Sequence, residues 1–401
     1  MVTASKGNRL HIGIFGRRNA GKSSLINAIT NQQLALVSDV AGTTTDPVFK
    51  AMEILPLGPV SLIDTAGLDD IGELGEKRVE KSRRILSKCD FVLIVADSKD
   101  VVDNNIEFEK QFIEDVKKRK IKGILVINKI DLQPFDEKSV EKTKNNLDFP
   151  VFAVSSVKKT GITELKNFIA KKASGSMTDP SLIGDLIEKN DLIFLVCPID
   201  NAAPKGRMIL PQVQVIRDVL DNDGIAIVMK DTELEESFKK LGKPKLVITD
   251  SQAFKKVSAL TPEDVMLTSF SIVFARQKGN LEILKKGVRK IDKLQNGDKI
   301  LVAEACTHHC QSDDIGRYKI PAWLREKTGK NLTFEYATGG DFPANLKDYA
   351  LVVHCGGCMI NRREMLYRLE FTEEKGVPIV NYGLLIAYVN GIFERAIKVF
   401  N

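Results

Sequence analysis

Gly16-Arg-Arg-Asn-Ala-Gly-Lys-Ser23 is the stretch that decides the fold of the N-terminal part of the chain. It matches the pattern G-x-x-x-x-G-K-[ST], follows an apolar run at 11–15 and precedes a helix-like stretch. Glycines let backbone N–H groups approach phosphate oxygens, and the N-terminus of the next helix adds favourable partial charge. The predicted contacts to a bound nucleotide come from Gly16, Asn19, Ala20, Gly21, Lys22, Ser23 and Ser24.

Further apolar runs surround this loop, at 60–63, 91–95, 123–127 and 151–154. They alternate with amphipathic, helix-like stretches, which is typical of a parallel sheet covered by helices on both faces. Ligands of such sheets bind beyond the carboxyl ends of the strands. We therefore predict an α/β P-loop domain over 1–174, with a mainly parallel sheet.

The residues predicted to be catalytic are Lys22, Asn19, Thr44 and Gly67. Lys22 is expected to reach the β- and γ-phosphates, while the Ser23 hydroxyl binds Mg²⁺. Asp64-Thr-Ala-Gly67 ends the second apolar run. There Asp64 can hold the Mg²⁺ shell, and the Gly67 amide can sense the γ-phosphate.

The base is predicted from Asn128-Lys129-Ile-Asp131, which ends another apolar run. A carboxylate at Asp131 can accept hydrogen bonds from guanine N1–H and its exocyclic amine, a pattern that adenine lacks. Ser155 and Ser156 follow the next run and resemble the base-supporting loop of GTPases. The predicted activity is therefore hydrolysis of GTP to GDP and phosphate.

Within the GTPases, the sequence resembles the potassium-stimulated branch of translation-factor-like enzymes, which includes the tRNA-modifying MnmE. The resemblance rests on Asn19, a Gly-Thr-Thr switch at 42–44, and Leu68 where Ras-like enzymes have glutamine. It implies that Asn19 helps to coordinate K⁺ in place of an arginine finger. It also implies Thr44 as the second Mg²⁺-binding residue, with Thr43 as the alternative.

A change in composition separates the predicted P-loop domain from the rest of the chain. Small and polar residues at 173–180 indicate a linker, and two further α/β regions with strand-like runs follow. We predict a small α/β domain at 175–267 and a second at 268–401. The former carries no chemical motif, which favours a role in self-association.

Cysteine and histidine cluster in the last region, as Cys306-Thr-His-His-Cys310 and His354-Cys-Gly-Gly-Cys358. Both segments follow apolar runs, so loops at the ends of neighbouring strands can bring them together. In a reducing compartment such a cluster indicates metal ligands before disulfides. Spacing alone favours zinc slightly and leaves open a redox dithiol or an iron–sulfur cluster.

A Cys-x-His segment followed by His-Cys-x-x-Cys, joined to an N-terminal GTPase, resembles the HydF family of [FeFe]-hydrogenase maturation GTPases. The resemblance implies a [4Fe–4S] cluster ligated by Cys306, Cys355 and Cys358. It leaves the fourth iron site open or weakly held. The candidates for that fourth site are His354, His308, Asp313 and Asp314, and Cys310 is outside the family pattern.

The same resemblance implies a role as scaffold and carrier of a diiron subcluster precursor. The implied partners are apo-[FeFe]-hydrogenase, radical-SAM maturases and a second copy of the chain, in a homodimer or higher homo-oligomer. Two alternatives are a translation or RNA-modification GTPase with structural zinc, and a redox-sensing GTPase switch.

Composition sets the remaining expectations. The formal charge of +6 over 401 residues is mild, and the lysines lie among acidic residues, so a nucleic-acid partner is not indicated. No apolar run reaches the roughly 18 residues of a membrane span, and the N-terminus has no signal-peptide core. We expect a cytoplasmic protein without a membrane partner.

Overall fold

The computed structural model describes residues 6–31, 48–64, 85–133, 137–174, 180–199, 208–305, 314–339, 342–343 and 345–400. The chain divides into two compact units, Met1–Thr178 and Asp179–Asn401. Among the described residues, no helix is both long and apolar enough to span a bilayer.

The first unit is built on one six-stranded sheet. Its strands are β1 (Leu10–Phe15), β2 (Val48–Ile54), β3 (Gly58–Asp64), β4 (Phe91–Asp97), β5 (Lys122–Asn128) and β6 (Val151–Ala153). The strand order is β2-β3-β1-β4-β5-β6, and β2 pairs antiparallel with β3. All other neighbours in this sheet pair in parallel, so the carboxyl ends of five strands meet at one edge.

Helices cover both faces of this sheet. They are α1 (Lys22–Thr30), α2 (Ser98–Val102), α3 (Glu107–Lys118), α4 (Glu137–Leu147) and α5 (Ile162–Ser174). Alternate residues of the central strands supply two apolar cores, because successive side chains of a strand point to opposite faces. Leu93 packs with α1 and α5 on one face, and Ile94 packs with α3 on the other. The predicted layered α/β fold is confirmed.

The second unit contains two four-stranded sheets, each parallel throughout. One sheet has the order β10-β9-β7-β8, and the other β12-β11-β13-β14. The strands of the first are β7 (Leu192–Val196), β8 (Ile225–Met229), β9 (Leu246–Thr249) and β10 (Met266–Ser269). Those of the second are β11 (Lys299–Glu304), β12 (Thr333–Thr338), β13 (Leu351–His354) and β14 (Ile379–Asn381).

Nine α-helices lie within the described part of this unit. They are α6 (Leu210–Asp221), α7 (Leu234–Leu241), α8 (Phe254–Leu260), α9 (Phe270–Lys278), α10 (Leu281–Val288), α11 (Ile320–Thr328), α12 (Arg362–Glu374), α13 (Tyr382–Val389) and α14 (Phe393–Lys398). This unit also has short 3-10 helices at Gly184–Leu186, Ile291–Lys293 and Leu346–Asp348 and a π-helix at Ile315–Lys319. The first unit has one 3-10 helix in its described part, at Lys6–Asn8.

One apolar core joins the two sheets of the second unit. It contains Phe194 and Val247 of the first sheet and Ile300 and Val352 of the second. The boundary predicted between residues 267 and 268 falls inside β10 and therefore cuts a strand. The pairing of β10 with β9 continues to Ser269.

Gly287 lets α10 lie directly on β14. A Cβ at this position would overlap the backbone carbonyl of Ile379, which is not a flexible side-chain end. Gly287→Ala should therefore destabilise the second unit by about 1–3 kcal/mol, although alanine is normally the better helix former. Urea unfolding measures the change.

The exposed neighbour Lys286 provides the control. Lys286→Ala should alter the free energy of unfolding by less than about 0.5 kcal/mol. A Gly287→Ala protein as stable as its parent would contradict the close packing of α10 on β14.

Candidate functional site

The phosphate-binding loop connects β1 to α1 through three glycine- or asparagine-dependent turns. Gly16 has a φ of 148°, and a side chain there would overlap the Val95 carbonyl. Asn19 and Gly21 have φ values of 62° and 90°, in the left-handed region that favours asparagine and glycine. Glycine or asparagine thus stands at each of these three positions of the loop where the backbone has a positive φ.

Within the loop, Lys22 begins α1 and is buried. Its Nζ donates to the carbonyl oxygens of Gly16 at 2.7 Å and Arg17 at 2.6 Å. Ser23 and Ser24 lie half-buried in the first turn of the same helix. The ammonium group therefore lies against the concave loop where phosphate is expected.

Asn128 connects this loop to the other predicted base-binding segment. Its Nδ2 donates to the Ala20 carbonyl at 3.2 Å and the Gly21 carbonyl at 3.4 Å. Its Oδ1 accepts from the backbone N–H of Ser156 at 3.1 Å and from the Ser156 hydroxyl at 2.9 Å. One buried amide thus fixes two loops that are distant in sequence.

Asp131 lies beside Ser155, whose Oγ donates to Asp131 Oδ1 at 2.6 Å. This hydrogen bond is the main reason that the pKa of the Asp131 carboxyl lies below its usual value. The Lys129 Nζ forms an ion pair with Asp97 Oδ2 at 2.7 Å, at the end of the neighbouring strand β4. Asp131 and Lys129 thus each have a polar or charged partner, and Asn128 and Ser156 form a separate hydrogen-bonded pair.

Other predicted nucleotide residues lie wholly or partly outside this description. Asp64 is the last residue of β3, opposite Ile14 of β1, and only its backbone is described. Thr44 and Gly67 lie outside the described residues. Their roles stay predictions.

Sequence reasoning missed a support of the loop from α3. Arg17 Nε contacts Glu109 Oε1 at 3.3 Å, and the Glu109 side chain is only 1% exposed. The guanidinium group also lies 5.9 Å from the centroid of the Phe108 ring. A single glutamate on an amphipathic helix carries no sequence signal for such a contact.

The second candidate site lies at the carboxyl edge of the last sheet. β11 and β13 are parallel neighbours, and Ala303 is paired with His354 in their register. The Cys355 N–H donates to the Ala303 carbonyl at 2.9 Å, and the Ala305 N–H donates to Cys355 Sγ at 3.2 Å. The residue before Cys306 thus contacts the Cys355 thiol.

Cys355 and Cys358 are both free thiols on the turn after β13. Burial raises the pKa of the Cys355 thiol, against the lowering effect of backbone N–H groups of Ala305 and Gly357. Gly357 has a φ of 62°, a left-handed conformation that permits the tight turn. Cys306, His308, Cys310 and Asp313 lie outside the described residues. Among the described residues, no group of three His, Cys, Asp or Glu side chains could hold a metal ion.

His354 is buried, with both ring nitrogens in hydrogen bonds. Nδ1 lies 2.6 Å from the Cys355 carbonyl, and Arg368 Nη1 donates to Nε2 at 3.0 Å. Burial and the adjacent Arg368 charge lower the pKa of His354 to about 3. The ring is therefore neutral, and ligation of iron would require it to give up one of these contacts.

Asp314, another candidate for the fourth ligand, is half-buried and accepts a hydrogen bond from the Arg317 N–H at 2.9 Å. This contact begins the π-helix. Nearby, Tyr382 Oη lies 3.5 Å from Glu304 Oε1, and Arg317 Nη2 lies 3.6 Å from Glu304 Oε2. Sequence reasoning did not single out Glu304 or Tyr382.

Three family models match separate segments of the chain. Residues 11–129 match the family model described as 50S ribosome-binding GTPase. Curated relatives include the tRNA modification GTPase MnmE of Thermoanaerobacter sp. strain X514, 39% identical over 40% of this chain and 34% of that protein. MnmE of Aquifex aeolicus is 34% identical, over 42% of this chain and 35% of its own length. The chain thus spans about a third of the curated relatives it matches.

Solved structures with similarity to the chain include a probable GTP-binding protein engB, with 19% identity and a TM-score of 0.35. The G domain of the T. maritima FeoB iron transporter has 26% identity and a TM-score of 0.31. Each match covers 41% of this chain and 99% of the other chain.

The fold of the first unit, its phosphate-binding loop and the GTPase match define a P-loop GTPase with further α/β domains. Residues 182–279 match the hydrogen maturase F dimerization domain, and residues 282–399 match the hydrogen maturase F tetramerization domain. Together these two segments make up more than half of the chain. The chain belongs to the hydrogen maturase F, or HydF, family.

The hydrogen bond from Ser155 to Asp131 gives a direct test of the base-binding geometry. Ser155→Ala removes a donor that stabilises the charged carboxylate, so the pKa of Asp131 should rise towards its ordinary value. Carbon-detected NMR titration of the Asp131 carboxyl measures this pKa.

Ser156→Ala is the matched control, because Ser156 contacts Asn128 and has no described bond to Asp131. It should leave the Asp131 pKa unchanged. Equal titration curves for the parent and Ser155→Ala would show that the contact does not govern Asp131.

Proposed function

We propose that the chain is a GTPase that binds a [4Fe–4S] cluster through Cys306, Cys355 and Cys358 and serves as scaffold and carrier in [FeFe]-hydrogenase maturation. The observation that carries the cluster site is the 3.2 Å hydrogen bond from the Ala305 N–H to Cys355 Sγ. Ala305 precedes Cys306 in the sequence, so this contact supports a site formed by both cysteine segments. GTPase chemistry rests on the first unit, and membership of the HydF family supports the maturation role.

The donor set fits a cluster. Two free thiols lie on the Cys355–Cys358 turn, and thiolates are the ligands that hold iron–sulfur clusters in proteins. When bound, a cluster with three thiolate ligands supplies an iron that can accept an exchangeable group. Asp313, Asp314, His308 and His354 remain the candidates for that position, of which His354 would have to leave Arg368 or the Cys355 carbonyl.

For GTP hydrolysis, we assign phosphate contacts to Lys22 and Mg²⁺ contacts to Ser23 and Thr44. Gly67 senses the γ-phosphate, and Asp131 selects guanine. Loss of the γ-phosphate would release the loops that contact it, as in other GTPase switches. Such a change of conformation suits an exchange of partners. The proposed partners are apo-[FeFe]-hydrogenase and the radical-SAM maturases that supply the diiron precursor.

Self-association is supported by exposed apolar side chains on the segment that matches the dimerization domain. β8 is an edge strand, and Ile225 and Val228 on it are each 45% exposed. Val213 and Leu220 of α6 are also exposed, at 45% and 58%. We propose a homodimer in which a second copy packs against the β8 edge, because edge strands readily pair with another chain.

The cluster site predicts a specific pattern of iron binding. Anaerobically reconstituted protein should bind about four irons per chain, and Cys355→Ala should lose most of this iron. Iron and sulfide analysis with the visible absorption spectrum measures the loading.

Cys197→Ala is the matched control. Cys197 lies in an apolar core, and burial together with the Asp250 charge raises the pKa of its thiol to about 12. This variant should load iron as the parent does. Stoichiometric zinc with no iron in protein prepared without air would overturn the proposal and favour a structural zinc site.

Potassium dependence tests the proposed role of Asn19. In the parent, K⁺ should accelerate GTP hydrolysis relative to Na⁺ at equal ionic strength, by at least about tenfold. Asn19→Ala should remove this difference, because the side-chain oxygen that helps to hold K⁺ is lost. Phosphate-release assays in the two salts give the ratio.

Asn31→Ala is a control, since Asn31 also has a positive φ but lies at the far end of α1. It should keep the K⁺ stimulation. Equal rates of the parent in K⁺ and Na⁺ would contradict this role of Asn19.

A further inference from the structure

Lys278 is a buried lysine whose side chain lies on the turn that carries Cys358. It is the last residue of α9, and only 5% of it is exposed. Its Nζ donates to the backbone carbonyls of Gly357 at 3.2 Å, Cys358 at 3.3 Å and Ile360 at 2.9 Å. An ammonium group has three donors, so these carbonyls match its full donor set.

A reciprocal contact connects the same two segments. Arg362, the first residue of α12, donates from Nη1 to the carbonyl of Gln277 and, at 3.4 Å, to that of Gly279. Side chains from each segment thus bond the backbone of the other. The end of α9 and the turn after β13 are therefore held as one assembly.

The turn depends on contacts from outside because its own residues contribute little to its stability. Gly356 and Gly357 have no side chain to pack, and glycine loses the most conformational freedom on folding. Gly357 also adopts a φ of 62°. Charge-assisted hydrogen bonds are about twice as strong as neutral ones, so a lysine here has a large effect on the turn.

We propose that Lys278 is a positioning residue for the metal centre, which fixes the backbone of residues 357–360 so that Cys358 is presented to the cluster. This inference rests on the proposed cluster site. The positive charge of Lys278 at the Cys358 carbonyl would favour the reduced, more negative form of a bound cluster. Since α9 belongs to the segment that matches the dimerization domain, this contact links that domain to the cysteine turn.

The first test uses metal-free protein, so it does not depend on iron binding. Amide hydrogen exchange in peptides that span 355–361 should be about tenfold faster in Lys278→Met, because the turn loses its charged donors. Lys278→Arg, which keeps a charge and several donors, should restore most of the protection. Lys286→Met, at an exposed position of α10, should exchange as the parent does.

The second test uses anaerobically reconstituted protein. Lys278→Met should bind less iron, and its remaining cluster should have a lower reduction potential and an altered electron paramagnetic resonance spectrum. Lys278→Arg should restore both. If circular dichroism shows that the Met variant is unfolded, Lys278→Gln supplies the same comparison, with fewer donors and no charge.

Exchange rates, iron content and potential that all equal those of the parent would overturn the role of Lys278. If the parent itself binds no iron, the proposed function fails. The exchange measurement would then still decide whether Lys278 holds the turn.

Discussion

The parallel pairing of β11 with β13 is the constraint on which the candidate metal centre depends. The two cysteine segments are separated by more than forty residues of sequence, and neither contains all three of the proposed cysteine ligands. Parallel strands end at the same edge of a sheet, and the pairing of Ala303 with His354 fixes how the two ends are aligned. The contact of the Ala305 N–H with Cys355 Sγ follows from this register. A shift by one residue would move these groups to opposite faces.

The same principle organises the nucleotide site. The loop after β1, the motif after β5 and the turn after β6 come together because β1, β4, β5 and β6 run in parallel. Asn128 then fixes these loops relative to each other, since its amide group forms hydrogen bonds with the backbone of the phosphate-binding loop and with Ser156. In both sites, a buried polar side chain bonds the backbone of a loop that carries site residues: Asn128 in the first and Lys278 in the second.

Much of this arrangement could be predicted from the sequence, because continuous apolar runs mark buried parallel strands. The strands that escaped prediction are β2, β10 and β12. β12 has the sequence Thr-Phe-Glu-Tyr-Ala-Thr and is an edge strand without a fully buried residue, so it has no apolar run. β10 ends in Thr268 and Ser269, which made it resemble the start of a new region. Strands at the edge of a sheet carry weaker hydrophobic patterns than central ones.

The supporting residues of both sites could not be predicted for a different reason. Lys278, Arg368 and Glu109 have ordinary helical surroundings in sequence, and charged residues on helices are usually solvated. Only the tertiary structure shows that each is buried against a loop that carries a site residue. Motif residues are recognisable because chemistry fixes their spacing, whereas their supports come from whichever element packs alongside.

The central claim is that three cysteines from two adjacent strand ends ligate one cluster and leave one iron different from the rest. Mössbauer spectroscopy of protein reconstituted anaerobically with ⁵⁷Fe, with and without added imidazole, tests it most directly. We predict that one iron site of the cluster responds to imidazole while the thiolate-ligated sites do not. A spectrum of four equivalent thiolate-ligated irons that is indifferent to imidazole, or protein that takes up no iron, would contradict the account.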